Sequence, residues 1–188
     1  FQQEILDRIQ AERRVQGRTK HLIVAATGTG KTMVAAFDFM RWRKERWHEG
    51  TEEEPRFLYV AHREEILKQS LATFRVVLRD QNFGDLMVGG RRPDRLDHLF
   101  ISIQTYNSQN LEQIVESEHY DYVVIDEFHH AAAPSYQDLL DHVAPQSLLG
   151  LTATPERADG KSVRSYFDDH ITAEIRLPDA INRKLLCP

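Results

Sequence analysis

"VAATGTGKT", Val24–Thr32, sets two glycines, a lysine and a threonine directly behind an apolar run. A strand that ends in a tight turn and feeds a helix aims several backbone N–H groups at one point, and the helix N-terminus adds partial positive charge there. Gly28 and Gly30 permit dihedrals that a side chain forbids and let an anion approach the backbone. Thr27 and Thr29 complete the loop. Lys31 is placed to reach the β- and γ-phosphates of a nucleotide, and the Thr32 hydroxyl to coordinate Mg²⁺. The pattern is the phosphate-binding loop G-x-x-x-x-G-K-[ST], with Ala25 at its first glycine position.

Outward from this loop, short apolar runs alternate with longer helix-like segments. The runs are His21–Thr27, Arg56–His62, Asp85–Gly90, Leu99–Thr105, Tyr120–Glu127 and Ser147–Thr154. Several are apolar at consecutive positions, the pattern of strands covered on both faces, as in a parallel sheet. Helices are expected over Lys31–Trp47, Arg63–Arg79, Asn110–Glu118 and Ser135–Val143. In the second of these, Ile66, Leu67, Leu71, Phe74 and Leu78 recur at helical spacing. Strand and helix in alternation predict an α/β fold with a mainly parallel central sheet flanked by helices on both faces. "HEGTEEEP", His48–Pro55, reads as a surface loop. Residues 1–177 are expected to form the domain, and 178–188 to open a linker.

Composition narrows the class. With 188 residues, 41% hydrophobic and 28% charged, the chain can bury one substantial core. No apolar run approaches the ~20 residues of a membrane helix. The charged, helix-like N-terminus is not a signal peptide. The single Cys187 excludes an internal disulfide and a cysteine-based metal site, and a cytoplasmic location is expected. A net charge of −5 argues against a general polyanion-binding surface but leaves room for a local basic groove.

A phosphate cradle alone does not hydrolyse ATP; a metal-holding acid and a group that activates water are also needed. "VVIDEFHH" supplies both. Asp126 follows an apolar strand and should emerge at its C-terminal edge, where ligands of open α/β sheets collect. Asp126 would hold Mg²⁺ through water, and Glu127 would polarise the attacking water.

With these residues in place, the chain resembles the first RecA-like motor domain of superfamily 2 helicases and translocases. "AATGTGKT" is similar to their motif I, in which alanine at the first position is common. "DEFH", Asp126–His129, resembles motif II, and "LTATP", Leu151–Pro155, motif III. "YVAHREEILKQ" resembles motif Ia, "ISIQTY" the Ib/Ic region, and "FQQE" the end of an adenine-sensing Q-like motif. The motifs run in the family's order over nearly the whole chain. "LTATPERADG" and the "LPDAI…LL" tail are most similar to the branch of type III restriction motor subunits and related DNA repair helicases. The resemblance implies that Gln2 contacts the adenine edge and that His129 couples ATP state to motif III. It implies that Thr152 and Thr154 relay between ATP and nucleic acid.

Motors of this type mostly grip the phosphate backbone. Arg63 matches the motif Ia arginine at a strand-to-helix junction. Ser102, Gln104 and Thr105 are expected to bond the backbone from the next junction, and Gly89 and Gly90 to permit close approach beside Arg91, Arg92 and Arg95. "RWRKERW", Arg41–Trp47, reads as a solvated last helical turn with Trp42 and Trp47 packed inward.

A helicase of this superfamily has a second, similar domain that supplies arginine fingers. About 33 residues follow Pro155, too few for another sheet of this size. The chain is therefore expected to bind ATP or ADP with Mg²⁺ and to depend on a second RecA-like domain of the same parent chain for fast turnover. The expected substrate is nucleic acid, with DNA favoured over RNA by branch resemblance. Two further readings stand open: a restriction-type duplex translocase that does not separate strands, and a nucleotide-controlled binding or regulatory module without useful hydrolysis.

Overall fold

The computed structural model describes residues 1–51, 53–90, 92–128, 134–154 and 163–175. Helix α1 (Gln2–Gln16) leads into β1 (Lys20–Ala25) and α2 (Lys31–His48). Then follow β2 (Phe57–Ala61), α3 (Glu64–Leu78), β3 (Asp85–Met87), β4 (His98–Ser102) and α4 (Ile103–Ser108). The chain continues through β5 (Tyr122–Ile125), α5 (Pro134–His142), β6 (Ser147–Thr152) and β7 (Ala173–Ile175). The strands form one sheet in the order β3-β4-β2-β5-β6-β1-β7, and every ladder is parallel. All strands therefore end on the same edge.

The consecutive apolar runs are explained by cover on both faces. Alternate residues of each strand enter two separate cores. Ile23, Phe57, Tyr59, Tyr122 and Leu149 face the core built with α1, α2 and α3. Leu22, Leu58, Val60, Val123 and Leu148 face the one built with α4 and α5. Gly150, in the middle of β6, is small because the Phe167 ring crosses it. A Cβ there would stand 2.4 Å from Phe167 Cζ.

Helix α1 is fastened to the sheet by two buried polar clusters. Arg13 donates to both carboxylate oxygens of Asp38, at 2.8 and 2.6 Å, and to Ser147 Oγ at 3.0 Å. The Tyr122 hydroxyl donates to the same Asp38. One residue earlier, Glu12 accepts from Thr172 Oγ1 at 2.9 Å and lies 3.3 Å from His21 Nδ1 and 2.9 Å from His170 Nε2. A charged pair held this far from water is stable only while both partners remain.

Three expectations need correcting. The run Leu99–Thr105 is not one strand: β4 stops at Ser102, whose Oγ accepts from Thr105 N and caps α4. The helix expected over Asn110–Glu118 is a single 3-10 turn, Leu111–Gln113. Asn110 there sits at φ 48°, which breaks the helical path, and only Leu111 and Val115 are buried. Trp42 packs inward as expected, but Trp47 is 51% exposed and lies under the Arg43 guanidinium, 5.3 Å away.

Candidate nucleotide-binding site

The sheet order decides where chemistry can collect. Strands β1, β6 and β5 are neighbours, so the segments leaving their C-terminal ends share one crevice. It has a volume of about 320 Å³ and is lined by Gly28, Gly30, Lys31, Thr32, Asp126 and Glu127 among others. Thr27, Thr152 and Ala153 contribute to its wall, as do Ile66 and Gln69 of α3.

The loop after β1 is shaped by its glycines. Gly28 and Gly30 have φ of 85° and 84°, in the left-handed region that other residues rarely enter. Val34 N donates to Gly30 O at 3.1 Å and starts α2. Thr29 is buried, and its hydroxyl donates to Ala26 O at 2.7 Å, tightening the loop. Lys31 Nζ donates to the carbonyls of Ala25 and Ala26, at 2.7 and 3.2 Å. Burial pulls the Lys31 pKa down, against the carboxylates of Asp126 and Glu127, which raise it. Gln2 donates from Nε2 to Thr29 O at 3.2 Å, so α1 begins on the loop itself.

Across the crevice, Asp126 is buried at the end of β5. Its backbone N–H still belongs to the sheet, donating to Val60 O at 2.8 Å. Both carboxylate oxygens are held: Oδ2 accepts from the Tyr59 hydroxyl at 2.7 Å and Oδ1 from Glu127 N at 2.8 Å. Burial raises the Asp126 pKa, and the Tyr59 and Glu127 donors and the Lys31 charge oppose that rise. Glu127 has φ 53°, a sharp turn for a residue with a side chain. Its Oε2 is buried and has no hydrogen-bond partner among the described residues. A buried acceptor left without a partner is costly, and a polar ligand or water in the crevice would satisfy it. The residue set fits a magnesium nucleotide: a cation, the loop amides and the Thr32 hydroxyl on one side, two carboxylates on the other.

Thr152 ends β6 between the two sides. Its Oγ1 donates to Thr154 O at 2.7 Å and accepts from Thr154 N at 3.2 Å, so the motif III threonines form one tight turn. His129 lies outside the described residues, as does Pro155.

The expected nucleic-acid residues stand on the other half of the same edge, after β2, β4 and β3. Arg63 is exposed, precedes the first residue of α3, and makes no ion pair among the described residues. Gln104 is exposed, with Nε2 3.0 Å from His62 Nδ1. Ser102 and Thr105 are buried and bonded to each other, Oγ to Oγ1, at 2.8 Å, which makes them a cap rather than an outward-facing pair. Gly89 and Gly90 take φ of 62° and 82° with open space around their Cα positions. Arg92 and Arg95 line the surface recess next to them, and Arg91 lies outside the described residues. Ile66 and Gln69 line the crevice and Tyr59 lies beneath it, and none of the three was read as a site residue from sequence.

A seven-stranded parallel sheet with a glycine loop behind one central strand and an Asp-Glu pair behind another defines a RecA-like motor domain of the superfamily 2 type. Comparison with known proteins agrees. Residues 1–157 match the family of the type III restriction enzyme res subunit, and the chain belongs to it. It is 30% identical to the Escherichia coli type I restriction enzyme EcoAI endonuclease subunit, over 82% of this chain and 19% of that protein. It is 27% identical to the proposed ATP-dependent helicase IRC3 of Saccharomyces cerevisiae, over 100% of this chain and 27% of that protein. Among solved structures, it superposes on a fragment of a proposed HsdR subunit of a type I restriction enzyme from Vibrio vulnificus YJ016. The TM-score is 0.71 with 26% identity, covering 96% of this chain and 30% of the other. The chain thus spans under a third of the length of each of these proteins.

Proposed function

We propose that this chain is the ATP-binding first motor domain of a DNA helicase or translocase, working with ATP and Mg²⁺ in the cytoplasm. One observation carries the reading: the pairs Lys31–Thr32 and Asp126–Glu127, far apart in sequence, meet in one crevice, where a buried oxygen of Glu127 has no partner among the described residues. The loop amides and Lys31 hold the phosphates, and Gln2, seated on the loop, senses the adenine edge. Thr32 and Asp126 hold the metal, which when bound neutralises charge on the phosphate oxygens. Glu127 orients the attacking water and accepts its proton. Thr152, Thr154 and His129 pass the state of the crevice to the nucleic-acid side.

On that side we assign Arg63 and Gln104 to the phosphate backbone, with Gly89 and Gly90 allowing its close approach. Ser102 and Thr105 act there through the cap that orients Gln104. No described helix is long and apolar enough to cross a membrane. A second motor domain would add an arginine finger, worth about 10³–10⁵ in rate in related phosphoryl-transfer systems. The relatives' greater length leaves room for one.

The test is ATPase activity with single- and double-stranded DNA and RNA. The protein that carries this domain with its second motor domain is expected to be stimulated by DNA, and the 188-residue chain alone to turn over slowly at most. Robust DNA-stimulated turnover by the chain alone would contradict the two-domain reading, and stimulation by RNA only would contradict the DNA assignment. Kinship to restriction subunits favours one variant of the reading, duplex translocation without strand separation. A strand-displacement assay separates the two. A purely regulatory module without hydrolysis would not need the complete set of Lys31, Thr32, Asp126 and Glu127.

A further inference from the structure

Strand β2 reads Phe-Leu-Tyr-Val-Ala, and Tyr59 brings its only side-chain polar group. The residue is fully buried. Its ring packs on Phe100, with centroids 5.3 Å apart, and edge-on to Phe74 at 5.8 Å. A phenylalanine would make the same packing. The hydroxyl is therefore an addition that the core does not require, and a buried hydroxyl persists where it has partners.

Its partner lies at the end of the neighbouring strand β5. The phenol donates to Asp126 Oδ2 at 2.7 Å. Thr32, in the first turn of α2, and Ser70, buried on α3, stand near the same phenol oxygen. Thr32 and Asp126 are the two residues assigned above to the metal. They arrive from the ends of different strands, and the phenol beneath the crevice holds the Asp126 carboxylate with Thr32 nearby. With Oδ1 held by Glu127 N and Oδ2 by Tyr59, the Asp126 carboxylate cannot rotate freely. Each oxygen retains a second acceptor position.

We propose that Tyr59 is a positioning residue for the divalent cation: its hydroxyl fixes the Asp126 carboxylate in one arrangement before the metal arrives. The inference rests on the nucleotide reading of the crevice. It separates metal binding from nucleotide binding, because the phosphate contacts of the loop amides and Lys31 do not pass through the phenol. Partners that orient metal ligands typically change metal affinity by about 10–100-fold when removed.

The experiment is binding of a fluorescent ADP analogue to the 188-residue chain, once in EDTA and once as a MgCl₂ titration. Tyr59→Phe is expected to raise the Mg²⁺ concentration at half-maximal response by about tenfold while affinity in EDTA stays within about twofold. An unchanged Mg²⁺ midpoint overturns the proposal. An equal loss of affinity in both conditions also overturns it, since the hydroxyl would then shape the crevice as a whole. Wild-type chain that binds no nucleotide in either condition removes the nucleotide reading and this inference together. Melting curves in EDTA report whether Tyr59→Phe folds. Should it not, Ser70→Ala loosens the phenol from the α3 side without touching the carboxylate. It is then expected to shift the midpoint the same way by at least about twofold, and no shift overturns the proposal.

Discussion

Replacing Glu127 with glutamine is expected to leave Mg–ATP binding within about twofold and to lower turnover of the protein carrying this domain by about 10²–10⁴, the range for loss of a general base. The amide keeps the shape of the carboxylate but cannot take a proton. Glu127 occupies a left-handed turn directly after Asp126, with one carboxylate oxygen buried and without a partner among the described residues. That places an acceptor in the crevice that no described residue engages. Nucleotide titration and steady-state ATPase on the same preparation check both halves of the expectation. Turnover within about tenfold of wild type would remove Glu127 from the role of base.

The largest effect on stability is expected from Arg13→Leu, at about 3–5 kcal/mol in urea denaturation. Arg13 is the bidentate partner of Asp38, which is 1% exposed. The Tyr122 hydroxyl cannot replace a positive charge. Leucine fills part of the space but leaves a carboxylate stranded between α2 and the sheet. A domain of this size is stable by roughly 5–15 kcal/mol, so the variant loses a large share of its margin. The double variant Arg13→Leu/Asp38→Leu is expected to recover most of the loss, because the penalty belongs to the uncompensated charge. A single-variant loss under about 1 kcal/mol would show that the pair contributes no more than a surface bridge. The pair also matters for function, since it anchors the helix whose first turn sets Gln2 on the phosphate loop.

The fold was legible because parallel strands carry their own signature. Leu22–Val24, Phe57–Ala61 and Tyr122–Ile125 are apolar without alternation, and each proves to be covered on both faces. Strand ends were less legible. In Leu99–Thr105 the apolar pattern continues through Ile103, yet Ser102 supplies a cap and the chain turns helical there. Leu111, Ile114 and Val115 have helical spacing, but a segment with so little to bury does not sustain a helix. The phosphate loop and the Asp-Glu pair could be read because their residues are contiguous. Tyr59 could not be paired from sequence, because its partner is 67 positions away. A lone tyrosine inside an apolar strand was nonetheless a signal that some buried acceptor awaited it. Trp47 was misplaced because an aromatic near a helix end can be covered by a neighbouring guanidinium instead of a core.

Division of labour along the sheet edge follows from strand order alone. The residues proposed for the nucleotide leave β1, β6 and β5, and those proposed for the nucleic-acid backbone leave β2, β4 and β3. Helix α3 joins the halves: Arg63 precedes it on one side, and Ile66 and Gln69 line the crevice on the other.

Titration calorimetry of the 188-residue chain with ADP in excess MgCl₂ probes the crevice most directly. One binding site per chain is expected, lost in Lys31→Ala. Absence of heat at millimolar nucleotide, or equal binding by wild type and Lys31→Ala, would contradict the assignment of the crevice to a magnesium nucleotide.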